Sequence, residues 1–276
     1  MKYETVRELN IPKIGFGCYR IGGDHGYDPN AVEPSIQALR SALELGYTHF
    51  DTAEGYAAGH SEELVGQVVR EMGVPREKLF ITTKVSPDHL EHDQVLRACE
   101  GSLRRLGMDY IDLYLIHWPQ KGMNLADTFK GLNRLVREGK VRHLGVSNFS
   151  VKLMQESMAV SETPLLTNQV SYSLPDRRCV ADGTLEFCRQ NDILLTAYSP
   201  VVHRATRGSR ALKQVAAARG VTTFQVALAW LVMQPRVITI PNSGNPQHQK
   251  DNLAAAELEL SEEEMQLLWA EKAREH

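Results

Sequence analysis

Short apolar runs alternate with longer amphipathic stretches along almost the whole chain. The runs fall at 15–19, 49–53, 80–85, 111–117, 141–148, 166–171, 193–198 and 237–241. Runs of this length, each followed by helical spacing, read as strands of a parallel sheet. Between them Val32, Ile36, Leu39 and Leu43 share one helix face, as do Val95, Cys99, Leu103 and Leu106, and Phe129, Leu132 and Val136. Thr222 with Gln225 and Ser261 with Glu264 match the capping box, in which a hydroxyl and a side chain three residues on satisfy orphan helix amides. Residues 2–14 alternate weakly around Arg7 to Asn10 and predict a short hairpin.

Eight strand-then-helix repeats predict a closed (β/α)8 TIM barrel with an N-terminal β-hairpin and an extra C-terminal helix. The rival is an open doubly wound sheet, which usually carries G-x-G-x-x-G after its first strand. Here that stretch is Gly15-Phe16-Gly17-Cys18-Tyr19-Arg20, without the third glycine. No low-complexity segment or long linker interrupts residues 1–276, so one domain is expected.

Composition narrows the function classes. A net charge of −3 and a pI near 6.4 argue against an electrostatic nucleic-acid binder. No stretch approaches the roughly 20 apolar residues of a membrane span, and the longest, Val226 to Met233, stops at Gln234-Pro235. The first residues lack the apolar core of a secretory signal. Cys18, Cys99, Cys179 and Cys188 have no framework spacing and read as buried thiols of a reducing compartment. A cytoplasmic monomer or weak homo-oligomer is expected. Without His-x-His or other close ligand spacing, no metal is expected.

Barrel chemistry sits at the C-terminal ends of the strands. Asp51, Lys84 and His117 fall there on the second, third and fourth predicted strands, with Tyr56 five residues past Asp51. Ser147-Asn148, Gln169, Tyr198 and Asn242-Ser243 occupy the later strand ends. An Asp51–Lys84 pair offsets much of the desolvation cost of either charge. The held ammonium can then act on Tyr56. One charge about 4 Å away at an effective dielectric of about 20 is worth about 4 kcal/mol. That corresponds to roughly 3 pK units before opposing losses. A phenol acidified in this way protonates a developing alkoxide, and His117 orients the carbonyl oxygen. The set suits reduction of a small-molecule carbonyl, with the hydride supplied from elsewhere.

Each residue also has an ordinary reading. A strand-end lysine is usually surface, Asp51 alone is a turn cap, and Tyr56 and Tyr198 are core-edge rings. Ser147-Asn148 can start the helix near Val151. His25, His49, His60, His89, His92, His143, His203 and His276 are read as structural or exposed. The joint arrangement favours the functional reading.

The pattern resembles the aldo-keto reductases. The resemblance is carried by Phe50-Asp51-Thr52-Ala53 with Tyr56, Thr83-Lys84-Val85, Leu115-Ile116-His117-Trp118-Pro119, Gly145-Val146-Ser147-Asn148-Phe149, Asn168-Gln169, Tyr198-Ser199-Pro200 and Ile240-Pro241-Asn242-Ser243. It implies an NAD(P)H-dependent enzyme in which Tyr56 donates the proton, Lys84 and Asp51 tune it, and His117 orients the carbonyl. Ser147, Asn148 and Gln169 would hold the nicotinamide carboxamide, and Tyr198 would stack on the ring. Ser199, Ser243 and Asn252 would lie along the pyrophosphate and adenosine, and Tyr19 and Trp118 would wall the substrate pocket.

Asn242 departs from the lysine usual in that family, and His248 stands where many members carry arginine and others histidine. NADP(H) is the expected coenzyme, with NAD(H) admissible because a charge-assisted contact worth about 1.5–3 kcal/mol is missing. Short segments after the fourth and seventh strands imply an open site for aldehydes and α-dicarbonyls. Two alternatives stand: a nucleotide-sensing regulatory subunit of the same fold, and a Schiff-base aldolase using Lys84.

Overall fold

β1 (Tyr3–Val6) and β2 (Leu9–Pro12) form the antiparallel hairpin, closed by a turn in which Arg7 takes φ 54°. The eight predicted runs become β3 (Phe16–Gly17), β4 (His49–Asp51), β5 (Phe80–Val85), β6 (Ile111–Ile116), β7 (Val141–Ser147), β8 (Thr167–Ser171), β9 (Leu194–Tyr198) and β10 (Val237–Thr239). They are hydrogen-bonded in simple chain order. A doubly wound sheet would reverse its order at a switch point; the unbroken order is that of the (β/α)8 class. This computed structural model describes residues 2–24, 26–271 and 273. Of the histidines set aside above, His25 and His276 lie outside the described residues, and His203 is described as backbone only.

Two compact units divide the contacts: Phe16–Asn168, and Met1–Gly15 with Gln169–His276. The first carries β3 to β7 with the helices Pro29–Glu44, His60–Glu71, His92–Leu106, Leu125–Arg137 and Val151–Val160. The helix faces predicted from spacing point inward at Ile36, Leu39, Val95, Cys99, Leu106, Phe129 and Leu132. Val32, Leu43, Leu103 and Val136 are only half-buried at the edges of those faces. Gly66 lets two helices touch, since a Cβ there would lie 2.0 Å from the Leu106 carbonyl oxygen.

The second unit holds β1, β2, β9, β10 and β8 from Gln169 onward. Its core is built on Trp230, Tyr172, Leu195, Val226 and Val237. Tyr172 meets Trp230 edge-on at 5.5 Å and its hydroxyl donates to Gln234 Oε1 at 2.7 Å. Backbone bonds from Gly15 to Thr239 and from Thr239 to Lys13 tie the segment after β2 to β10. Both capping boxes form, starting the helices Thr223–Val232 and Glu262–Trp269. No single described helix is long and apolar enough to cross a membrane; Val226 to Val232 is buried in this core.

The last helix stops at Trp269. Terminal helix carbonyls need partners from outside the helix. The Arg177 guanidinium supplies them, donating to the carbonyls of Leu268, Trp269 and Glu271 at 3.0, 2.7 and 3.0 Å.

Candidate active site

Side chains two residues apart on a strand share a face. In the parallel register Asp51 lies opposite Thr82, so Lys84, two residues on, faces the same side as Asp51. Lys84 in turn lies opposite Leu115, and His117 follows two residues later. Three strands thus hand one charged or polar group each to a common face, within the unit Phe16–Asn168.

The Lys84 ammonium is fully buried and donates to Asp51 Oδ1 at 2.5 Å, the Thr52 carbonyl at 2.7 Å and the Tyr56 hydroxyl oxygen at 3.2 Å. An ammonium has three donors, and all three are committed. The Tyr56 ring meets His117 edge-on at 5.5 Å and Tyr19 at 5.4 Å. Past Tyr56 the backbone turns sharply, with Ala57 at φ 49°, Ala58 at φ 55° and Gly59 at φ 93°, and enters the helix His60–Glu71. The left-handed conformation costs a non-glycine residue roughly 1–2 kcal/mol.

The electrostatics correct one expectation. Burial pushes the Tyr56 phenol above its ordinary value of 10, and the opposing pull of Lys84 does not overcome it. Tyr56 is therefore a protonated phenol in this state, not an acidified one. Burial works against the Lys84 charge, but Asp51 and Tyr56 outweigh it and hold Lys84 above 10.5. Burial, aided by the Lys84 charge, lowers His117 to about 3, so its ring is neutral at ordinary pH. A Schiff base needs a free amine lone pair; a fully buried ammonium with every hydrogen engaged has none to offer.

Several groups shaping this site were not singled out in the sequence. The Thr52 carbonyl that takes one Lys84 hydrogen is backbone. Glu62, fully buried, accepts from Thr83 Oγ1 at 2.6 Å and from Arg105 Nε at 2.6 Å, gripping the opposite face of β5 beside Lys84. Its position among Val65, Val68 and Val69 on a buried helix face was the clue available.

Ser147 ends β7 buried, and Asn148 follows at φ 63°. The Asn148 amide donates to Ser147 Oγ at 2.9 Å and to the His117 carbonyl at 3.2 Å, which brings both residues to the end of β6. Tyr19 and Trp118 are 45% and 48% exposed.

In the second unit Gln169 is buried on β8, and Tyr198 ends β9 half-buried. Ser199 is exposed at φ 48°. Beyond β10, Asn242 and His248 are exposed, while Ser243 and Asn252 are half-buried. The Ser243 hydroxyl accepts from the Asn245 amide at 3.1 Å. Asn245, not singled out in the sequence, caps the helix Pro246–Ala255 by accepting from the Gln247 and His248 amides at 2.9 and 3.3 Å. Among the described residues no group of three or more His, Cys, Asp or Glu could hold a metal ion. The four cysteines are free and buried.

The model of the Aldo/keto reductase family matches residues 13–271. Methylglyoxal reductase YeaE of Escherichia coli K12 is 35% identical over 267 residues, covering 95% of this chain and 91% of that protein. Glyoxal reductase of Bacillus subtilis 168 is 34% identical over 265 residues, covering 95% and 90%. Among solved structures, the thermostable aldo-keto reductase Tm1743 in complex with the inhibitor epalrestat superposes with a TM-score of 0.93. It is 42% identical, over 98% of this chain and 99% of that one. An aldo-keto reductase from Klebsiella pneumoniae in complex with NADPH gives a TM-score of 0.88 at 36% identity, over 97% and 94%.

Proposed function

The chain belongs to the aldo/keto reductase family, and we propose that it reduces small aldehydes and 1,2-dicarbonyls to alcohols, with Tyr56 as proton donor. The observation that carries this reading is the Lys84 ammonium donating to the Tyr56 oxygen from a buried pairing with Asp51. A hydroxyl has one hydrogen and two acceptor sites. With Lys84 on one acceptor site, the hydrogen is left to point at a substrate carbonyl. Burial keeps the phenol loaded at working pH, and Lys84 stabilises the phenolate that forms as the proton leaves. Neutral His117 offers one ring N–H to the carbonyl oxygen and fixes its direction.

A reduced nicotinamide coenzyme, when bound, supplies the hydride. The strand-end polar groups of each unit are of the chemical kind that such a coenzyme binds. In the unit Phe16–Asn168, Ser147 and Asn148 offer a hydroxyl and an amide of the kind that a carboxamide binds; in the other unit Gln169 is buried on β8. Tyr198 would stack on the ring, and Ser199, Asn242, Ser243, His248 and Asn252 would hold the remainder. NADPH is the favoured form, as the Klebsiella relative's complex suggests, with discrimination against NADH weakened by Asn242.

The curated relatives named for methylglyoxal and glyoxal reduction support a compact dicarbonyl as substrate. Tyr19, whose ring meets Tyr56 edge-on at 5.4 Å, is 45% exposed. The test is a spectrophotometric panel of NADPH and NADH oxidation with methylglyoxal, glyoxal, aromatic aldehydes and sugars. Tyr56→Phe should reduce turnover by at least about 100-fold while coenzyme still quenches protein fluorescence. Retained turnover would place the proton donor elsewhere. Tight coenzyme binding with no turnover on any carbonyl would favour a sensing subunit.

A further inference from the structure

Glu54 lies between Asp51 and Tyr56, and nothing in the chemistry described so far uses it. Its side chain is 9% exposed, an unusual place for a loop carboxylate unless it is engaged. Oε1 accepts the Ser86 backbone N–H at 2.6 Å and meets His89 Nδ1 at 3.0 Å. Ser86 and His89 belong to the turn that follows β5, directly after Lys84 and Val85.

The same segment is tied to β5 at three other points. The Thr52 amide donates to the Thr82 carbonyl at 2.8 Å, the Glu54 amide to the Lys84 carbonyl at 3.3 Å, and Lys84 Nζ to the Thr52 carbonyl. All three lie on the Asp51 side of Tyr56 or at Glu54 itself. The carboxylate pin is the outermost, two residues from the phenol. Packing next to it is tight: a Cβ on Gly55 would stand 3.4 Å from Ser86 Oγ. Beyond Tyr56 the chain is bent through the left-handed Ala57 and Ala58, so the phenol sits between an anchored segment and a strained one.

The geometry points to Glu54 as a positioning residue for the reduction: its carboxylate, clamped on the Ser86 amide and the His89 ring, holds the Tyr56 hydroxyl against Lys84. This rests on the reading of Tyr56 as proton donor. The Tyr56–Lys84 contact is long, at 3.2 Å, beside the 2.5 Å Asp51–Lys84 contact. A small drift of the segment therefore removes the first and spares the second.

The experiment compares Glu54→Ala, Glu54→Gln and Tyr56→Phe with the parent by steady-state kinetics on methylglyoxal across pH, together with thermal unfolding. Misplacement of a reacting group by about 1 Å costs on the order of 100-fold. Glu54→Ala should lose 10- to 100-fold in kcat, with KM changed less than about threefold. Its basic pH limb should move upward as the phenol leaves the ammonium. Glu54→Gln keeps an oxygen for the Ser86 amide and should recover most of the loss.

Parental kcat in Glu54→Ala, or an unmoved basic limb with kcat falling only in step with the folded fraction, would overturn the assignment. Equal loss in Glu54→Gln and Glu54→Ala would also overturn it. If Tyr56→Phe itself remains active, the proton-donor reading has failed. If Tyr56→Phe is dead while Glu54→Ala is unimpaired, only the positioning role has failed.

Discussion

At the scale of single residues, the site separates two properties that the sequence had merged. The ammonium of Lys84 was expected to make Tyr56 acidic, and burial proves the larger effect on the phenol. The outcome suits a reductase, because an acid must hold its proton until the carbonyl arrives. The sign is definite. Tyr56 is active in its protonated form, so activity from this group is full below its pKa and falls as pH rises through a value above 10. His117 acts as a neutral ring, so its contribution is present above about 3 and lost only as pH falls through that value. The kcat/KM of carbonyl reduction should therefore show no inflection from these residues between about pH 5 and 9. A step near the ordinary histidine value of 6.5 in the rate profile, removed by His117→Phe, would show that the ring is not desolvated as the geometry requires.

Among the elements, legibility follows the reach of the signal. Strands and helices were readable because apolar periodicity is a repeated signal, and the two capping boxes formed where a hydroxyl and an acceptor stood three residues apart. Asp51 and Lys84 stood out because charges at the ends of buried strands are expensive, and Tyr56 and His117 stood out only through those neighbours. Strand ends were less readable. The runs 49–53 and 237–241 shorten to His49–Asp51 and Val237–Thr239 as the chain leaves the ladder for loops. Lys84 takes the Thr52 carbonyl, a long-range contact that local pattern does not encode. The same holds for Arg177, which ends the last helix from 92 positions away in sequence.

The cap of the helix Thr223–Val232 gives an element-scale test. Thr222→Ala should cost about 1 kcal/mol in urea unfolding, and a loss below about 0.3 kcal/mol would mean that core burial alone sets this helix start. The segment beyond β10 gives another, resting on the proposed coenzyme site. The preference for NADPH over NADH, measured by fluorescence titration, should be under about a thousandfold. Asn242→Lys should raise it by about 10- to 100-fold. An unchanged ratio would remove Asn242 from the discrimination.

For the whole molecule, acid is the condition that exposes how much the buried histidines weigh on stability. His49 starts β4, fully buried, with Nε2 on Thr82 Oγ1 at 3.1 Å and the ring edge-on to Phe80 at 5.2 Å. Its other ring nitrogen has no partner among the described residues. Burial lowers its pKa from 6.5 to about 4. The unfolded chain therefore takes up this proton first as pH falls. The penalty is absent above about 6.5 and grows down to about 4, where it levels off. A shift of this size amounts to about 3 kcal/mol, a large part of a typical 5–15 kcal/mol stability. His117 acts in the same direction, with a floor near 3. His49→Asn removes one of these two groups and leaves the carboxylates unchanged. Between pH 7 and 4.5 the parent should lose about 2–3 kcal/mol more than His49→Asn in urea unfolding. Parallel stability curves for the two proteins would mean that the imidazole is already charged in the fold, and that the orphan nitrogen has found water.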